Sequence, residues 1–237
     1  MAQEKEIKIQ LKIQLDDFVK RIQRKGYKLV HKLNQTDIYF DTKDWFLYES
    51  IAALRLRRID NNDSSFSFKK VFYLPKQKDY YVEEIEVKFP INNFDEAKKI
   101  FEKVTIPFDK SILKSGSELT KYLAKYNYFD EQKMTKLRTV YSKGEDEITI
   151  DEADNVGIII ELECQNNEPL HVVKTFLSDN EWERSVEGTS YIWLKNVKGL
   201  TSHIKNLERF KTEPDWNVWE NEKEMYEEIQ KKQDGGY

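Results

Sequence analysis

The sequence predicts an α+β fold in which an antiparallel sheet of about eight strands closes into a barrel with flanking helices. Three observations predict it. Hairpin-like pairs of alternating segments dominate the chain, helical segments fall between them, and strand after strand carries a like-charged pair at positions i and i+2. Spacing of two puts both members of a pair on one face of a strand.

The elements follow in order. Residues 5–15 alternate, with Ile7, Ile9, Leu11, Ile13 and Leu15 on one side and Glu6, Lys8, Gln10, Lys12 and Gln14 on the other, as in a strand. Asp16 and Asp17 offer an N-cap for a short helix carrying Phe18, Val19 and Ile22 and stopped by Gly26. Strands are predicted over Asp37–Asp41 and Ala52–Ile59. A turn at 61–64 then leads into a return strand at 66–72, and a further strand covers 80–89. Helices are predicted at 94–104 and 118–126, and strands at 135–141, 147–151 and 158–164, the last two joined by a turn at 152–157. Two helices follow, at about 168–179 and 190–210. Residues 1–210 are read as one domain, and 211–237 as an acidic extension containing Trp216 and Trp219.

Composition narrows the function classes. The 237 residues carry 39 basic and 43 acidic side chains, a net charge of -4, which excludes a grossly basic nucleic-acid binder while leaving room for a local basic site. The lone cysteine, Cys164, excludes an intrachain disulfide or cysteine metal cluster and reads as a small packed hydrophobe. His31, His171 and His203 show no metal-ligand spacing, and no glycine-rich phosphate loop is present. Lys20–Lys25 reads as the solvated face of a helix. Because the N-terminus is charged and no apolar run approaches a membrane span, a soluble, cytoplasmic protein is expected.

The charged pairs carry the chemistry. Glu4/Glu6, Arg55/Arg57, Glu84/Glu86, Lys136/Arg138 and Glu161/Glu163 each share a face, while Ile7, Leu54, Leu56, Ile85, Leu137, Ile160 and Leu162 take the opposite one. One such pair is ordinarily a solvated face; five on five strands predict a charged interior. Carboxylates suit Mg2+ or Mn2+, and Lys and Arg suit phosphate oxygens, so the set predicts a metal–polyphosphate site in one enclosed cavity.

Glu4-x-Glu6-x-Lys8, Tyr39-Phe-Asp-Thr42, Ala53-Leu-Arg-Leu-Arg-Arg58, Ser67-Phe-Lys69, Lys136-Leu-Arg138 and Glu161-x-Glu163 occur in an order that resembles the CYTH superfamily of triphosphate tunnel metalloenzymes. Glu4-x-Glu6-x-Lys8 resembles its N-terminal signature, and Tyr39-Phe-Asp-Thr42 followed by Ala53-Leu-Arg-Leu-Arg-Arg58 resembles its most specific block. Ser67-Phe-Lys69, Glu83–Glu86, Lys136-Leu-Arg138 and the Asp151…Gly157…Glu161-x-Glu163 hairpin follow in register. The resemblance implies an eight-stranded antiparallel tunnel. In it Glu4, Glu6, Glu161 and Glu163 would bind Mg2+ or Mn2+, and Lys8, Arg55, Arg57, Lys69, Lys136 and Arg138 would hold phosphates. Glu86 and Asp151 would be acidic participants that order metal or water. It implies hydrolysis of a triphosphate such as tripolyphosphate, a nucleotide or thiamine triphosphate. Cyclisation of ATP and non-catalytic polyphosphate binding stay open, as does a homodimer, and an RNA 5′ end is less favoured. Where many members carry a lysine before Ser-Tyr, this chain reads Gly188-Thr189-Ser190-Tyr191, with Lys195 the nearby substitute.

Overall fold

The computed structural model describes residues 5–74, 79–165, 167–185 and 188–200. The extension predicted at 211–237 therefore lies outside the described residues. The strands are β1 (Lys5–Leu11), β2 (Lys28–Asp41), β3 (Ala52–Ile59), β4 (Asn62–Leu74), β5 (Asp79–Lys88), β6 (Phe129–Lys143), β7 (Asp146–Ala153), β8 (Gly157–Cys164) and β9 (Trp182–Arg184). The helices are α1 (Leu15–Arg24), α2 (Phe46–Glu49), α3 (Phe94–Lys103), α4 (Gly116–Lys125), α5 (Pro169–Lys174) and α6 (Thr189–Lys198), with a 3-10 turn at Lys110–Lys114.

The α+β class and the antiparallel pairing stand; the closed eight-stranded barrel does not. Among the described residues the sheet has nine strands in the order β5-β4-β3-β2-β6-β7-β8-β1-β9, leaving β5 and β9 as edges. Closure requires the first and last strands to hydrogen-bond to each other. The last strand here, Trp182–Arg184, is only three residues long and offers little backbone for that.

The chain divides into two compact units. Among the described residues the first comprises 5–36, Ile59–Asn62 and those from 134 to 200, and the second Asp37–Arg58 and those from 63 to 133. In the first unit the period-2 alternation of β1, β7 and β8 is locked in register. Ile7 pairs with Leu162, which pairs with Ile148, and Ile9 pairs with Ile160, which pairs with Ile150. Phe18 and Ile22 of α1, Val173 of α5, and Phe176 and Leu177 after it cover these apolar rows. A one-residue slip would turn every one of these side chains to the other face, so burial of the aliphatic rows fixes where the charged residues point.

In the second unit Leu54 and Leu56 of β3, Phe66 and Phe68 of β4 and Val87 of β5 pack under Ala97, Ile100 and Phe101 of α3 and Leu119 and Leu123 of α4. Burial of each large side chain contributes about 1.5–3 kcal/mol. Gly116 opens α4, where its N–H donates to Asp63 Oδ2 at 2.6 Å. A Cβ there would lie 2.6 Å from Leu56 Cδ2 and 2.7 Å from Asp63 Oδ1, so only glycine allows this approach.

Local departures from the sequence reading have local causes. Helix α1 starts at Leu15 with Gln14 as N-cap, and Asp16 and Asp17 sit in its first turn, where they complement the helix dipole. Strand β1 accordingly ends at Leu11 rather than at 15. Helix α5 stops at Lys174 because Phe176 and Leu177 turn into the core. Arg21, within the supposed solvated run, makes a two-point pair with Glu181 at 2.7 and 2.9 Å. No helix among the described residues is long and apolar enough to cross a membrane.

Candidate functional site

The predicted site residues fall on two charged faces, one in each unit. In the first unit, the register that buries the aliphatic rows places Glu6 opposite Glu163 and Glu163 opposite Glu147. The next row runs Lys8, Glu161, Thr149, and Asp151 lies opposite Arg138. Lys136 shares the Arg138 face two residues earlier.

Six of these side chains, Glu6, Lys8, Glu161, Arg138, Asp151 and Lys136, form a continuous ion-pair network. Lys8 Nζ contacts Glu6 Oε1 and lies 3.3 Å from Glu161 Oε1. Arg138 Nη2 reaches Glu161 Oε2 at 3.3 Å. It also makes a two-point contact with Asp151, Nε to Oδ1 and Nη2 to Oδ2, both 2.7 Å. Lys136 Nζ donates to Asp151 Oδ2 at 2.5 Å. Asp151 is fully buried, so its two cations are what keep it tolerable there.

Burial alone would push the Glu161 carboxyl up, but the charges of Lys8, Arg138 and Lys136 outweigh it and hold the group down at about 2. Burial likewise works against the Lys8 ammonium, and the carboxylates of Glu161 and Glu6 more than offset it, raising its pKa. Both groups are therefore firmly ionised at neutral pH.

This face suits a hard divalent cation. Five carboxylates (Glu6, Glu147, Asp151, Glu161 and Glu163) meet three cations (Lys8, Lys136 and Arg138), leaving an excess of two negative charges. Like charges directly opposite each other across strands repel, and a bridging oxygen-seeking ion relieves that. Among the described residues no three potential ligands converge on a single metal position, because Glu6 and Glu161 turn toward Lys8. The donor chemistry and the register thus fit Mg2+ or Mn2+, with side-chain rotation needed to gather the ligands. Glu4 lies outside the described residues. Glu147 was not singled out in the sequence because its acidic neighbour at two-residue spacing, Glu145, lies in the turn before β7 rather than on a strand; only the strand register reveals it.

In the second unit the face is formed by the end of β2, β3, β4 and β5. Arg57 is locked by a two-point contact to Asp37, Nε to Oδ1 at 2.8 Å and Nη2 to Oδ2 at 3.2 Å. Arg55 is held more loosely, its Nη2 lying 3.3 Å from both Glu84 Oε1 and Glu86 Oε2. Lys69 Nζ is 3.3 Å from Glu84 Oε2, and Ser65 Oγ lies 3.2 Å from Glu86 Oε2. The Arg55 Nε is buried and has no hydrogen-bond partner among the described residues. Burial opposes the Arg55 charge, but Tyr39, Asp37, Glu84 and Glu86 raise its pKa regardless.

Other candidates resolve simply. Cys164 is buried, and burial pushes its thiol up to about 12, which suits packing rather than nucleophilic chemistry. Lys195 is exposed on α6. Asp41, in the most specific sequence block, caps α2 by accepting from the N–H groups of Leu47 and Tyr48 at 2.8 and 2.9 Å.

Comparison with known proteins adds the following. The family model of the CYTH domain matches residues 2–185. A candidate adenylate cyclase of Methanocaldococcus jannaschii is 27% identical over 161 residues, covering 66% of this chain and 76% of its own length. Among solved structures, a candidate adenylate cyclase of Vibrio parahaemolyticus aligns with a TM-score of 0.51 at 18% identity, over 81% of this chain and 98% of that one. An adenylyl cyclase candidate from Hippeastrum, described as revealing a dominant triphosphatase activity, aligns with a TM-score of 0.52 at 20% identity, over 81% and 95%. At these structural identities the likeness establishes the fold alone.

Proposed function

The chain belongs to the CYTH domain family, and on that premise we propose that it hydrolyses a triphosphate in a divalent-metal-dependent reaction. The observation that carries the reading is the double-negative excess on the β6-β7-β8-β1 face, where a row of three carboxylates, Glu6, Glu163 and Glu147, borders the positions that carry Lys8, Lys136 and Arg138. A purely anion-binding face would be net positive; a face made for a metal–anion pair has this composition.

In the proposed site Glu6, Glu161 and Glu163, with Glu4, hold Mg2+ or Mn2+. The ion would supply charge neutralisation to phosphate oxygens. Lys8, Lys136 and Arg138 bind phosphate oxygens and offset the charge that builds on the leaving diphosphate. Asp151 touches no substrate in this scheme; from its buried position it orients Lys136 and Arg138. In the second unit Arg55, Arg57 and Lys69 are the proposed phosphate contacts. Phosphoryl transfer gains mainly from positioning and charge neutralisation, which is what charged faces of this composition provide.

A second reading is cyclisation of ATP. The Methanocaldococcus jannaschii relative and the acidic run Glu83–Glu86 favour it. One panel separates the two. The protein is incubated with Mg2+ or Mn2+ and tripolyphosphate, ATP or thiamine triphosphate, and the products are resolved. Orthophosphate supports hydrolysis, pyrophosphate with cyclic AMP supports cyclisation, and binding without product rejects both. Glu161→Gln should lower metal-dependent turnover by on the order of 10²–10³; near-normal turnover would remove Glu161 from the site.

A further inference from the structure

Arg55 and Arg57 sit two residues apart on one strand face, yet they are held very differently. Arg57 spends its Nε edge on a close two-point contact with Asp37. Arg55 has two long contacts from a single nitrogen, to Glu84 and Glu86, and a buried Nε with no partner among the described residues. A buried guanidinium donor left unmatched is costly, so this arrangement is short of an acceptor. Glu84 also faces Lys69, its cross-strand partner, and Glu86 faces Ser67. The two β5 carboxylates thus lie against the cations proposed above as phosphate contacts.

We propose that Glu84 and Glu86 are resident counter-anions of an anion subsite on β3–β5, and that a polyphosphate binds there by displacing them from Arg55 and Lys69. The inference rests on the polyphosphate reading above and assigns these carboxylates a role distinct from metal binding. Displacement costs every entering anion the same broken ion pairs. An orthophosphate, with few charges to offset that cost, is held weakly; a triphosphate, with more contacts to make, is still held. The device therefore keeps the subsite from retaining small inorganic phosphate while admitting longer chains. The carboxylate side chains are about one-third exposed, 37% for Glu84 and 32% for Glu86, so they can swing into solvent as the anion enters.

The test is calorimetric titration of the full chain with tripolyphosphate, diphosphate and orthophosphate, in chelator and at fixed ionic strength. Wild type is compared with Glu84→Gln, Glu86→Gln and the double variant. The double variant should bind all three anions tighter by a similar factor, on the order of tenfold, each single variant giving part of it. Adding Arg55→Gln should cancel the gain. Unchanged or weaker binding in the double variant would overturn the counter-anion role. A gain that climbs steeply with anion charge would overturn displacement, because it means that the carboxylates stay beside the bound anion. If neither wild type nor the double variant binds any polyphosphate, in chelator or in a parallel titration with Mg2+, the polyphosphate reading itself fails, and this inference with it. Binding by the variant alone supports the counter-anion role.

Discussion

Arg138 and Asp151 face each other across β6 and β7 and share two parallel hydrogen bonds of 2.7 Å, with Lys136 closing on the same carboxylate. This fully buried carboxylate is the anchor of the first unit's charged face.

Asp151→Asn should be strongly destabilising. It leaves Lys136 and Arg138 without their common counter-charge in a buried setting, a change that costs about 3–5 kcal/mol. Urea unfolding of the variant measures it directly. A loss below about 1 kcal/mol would mean that Glu161 takes over as partner to both cations.

Glu147→Gln tests the charge excess. Its carboxylate lies opposite that of Glu163, and the metal-free protein should gain roughly 0.2–1 kcal/mol when that repulsion is removed. Saturating Mg2+ should cancel or reverse the gain, because the ion needs the charge. Thermal melts with and without Mg2+ give both numbers, and a gain unaffected by the metal would place Glu147 outside the site.

Glu161 makes acid stability predictable. Its folded pKa, about 2, lies below the unfolded value of about 4.3, so the folded state binds fewer protons. Its contribution is fully present above about pH 4.3 and is lost as pH falls toward 2. The stability gap between wild type and Glu161→Gln should narrow over that window in denaturant titrations.

Asp41 has the opposite sign. Burial raises its folded pKa to about 6, against about 3.9 unfolded, so the folded state binds more protons. Its ionisation therefore weakens the fold as pH rises from about 4 to about 6, after which the effect levels off. Asp41→Asn should abolish that slope. It should also cost stability at every pH, because one amide oxygen cannot replace two carboxylate oxygens that accept from Thr42, Leu47 and Tyr48.

Gly116→Ala should lower stability by about 1–3 kcal/mol, since its Cβ would overlap Leu56 and Asp63. Calorimetric melting checks this, and an unchanged melting temperature would show that the β3–β4 hairpin yields easily.

The sequence by itself determined the alternating faces. Ile7, Ile9, Ile160 and Leu162 must be buried, so Glu6, Lys8, Glu161 and Glu163 share the other side by the two-residue period of a strand. Short-range pattern was also enough for β3, β5, α3 and α4 to within a few residues. Which strands neighbour one another was decided only by tertiary structure, because pairing is a contact between residues far apart in the chain. That register brought Glu147 to Glu163, gave Asp151 two cations and left Arg55 weakly held while Arg57 was fixed. It also left the sheet open at β5 and β9, where the pattern had suggested closure. Charge type is written locally, but the partner that neutralises each charge is set by packing over the whole chain.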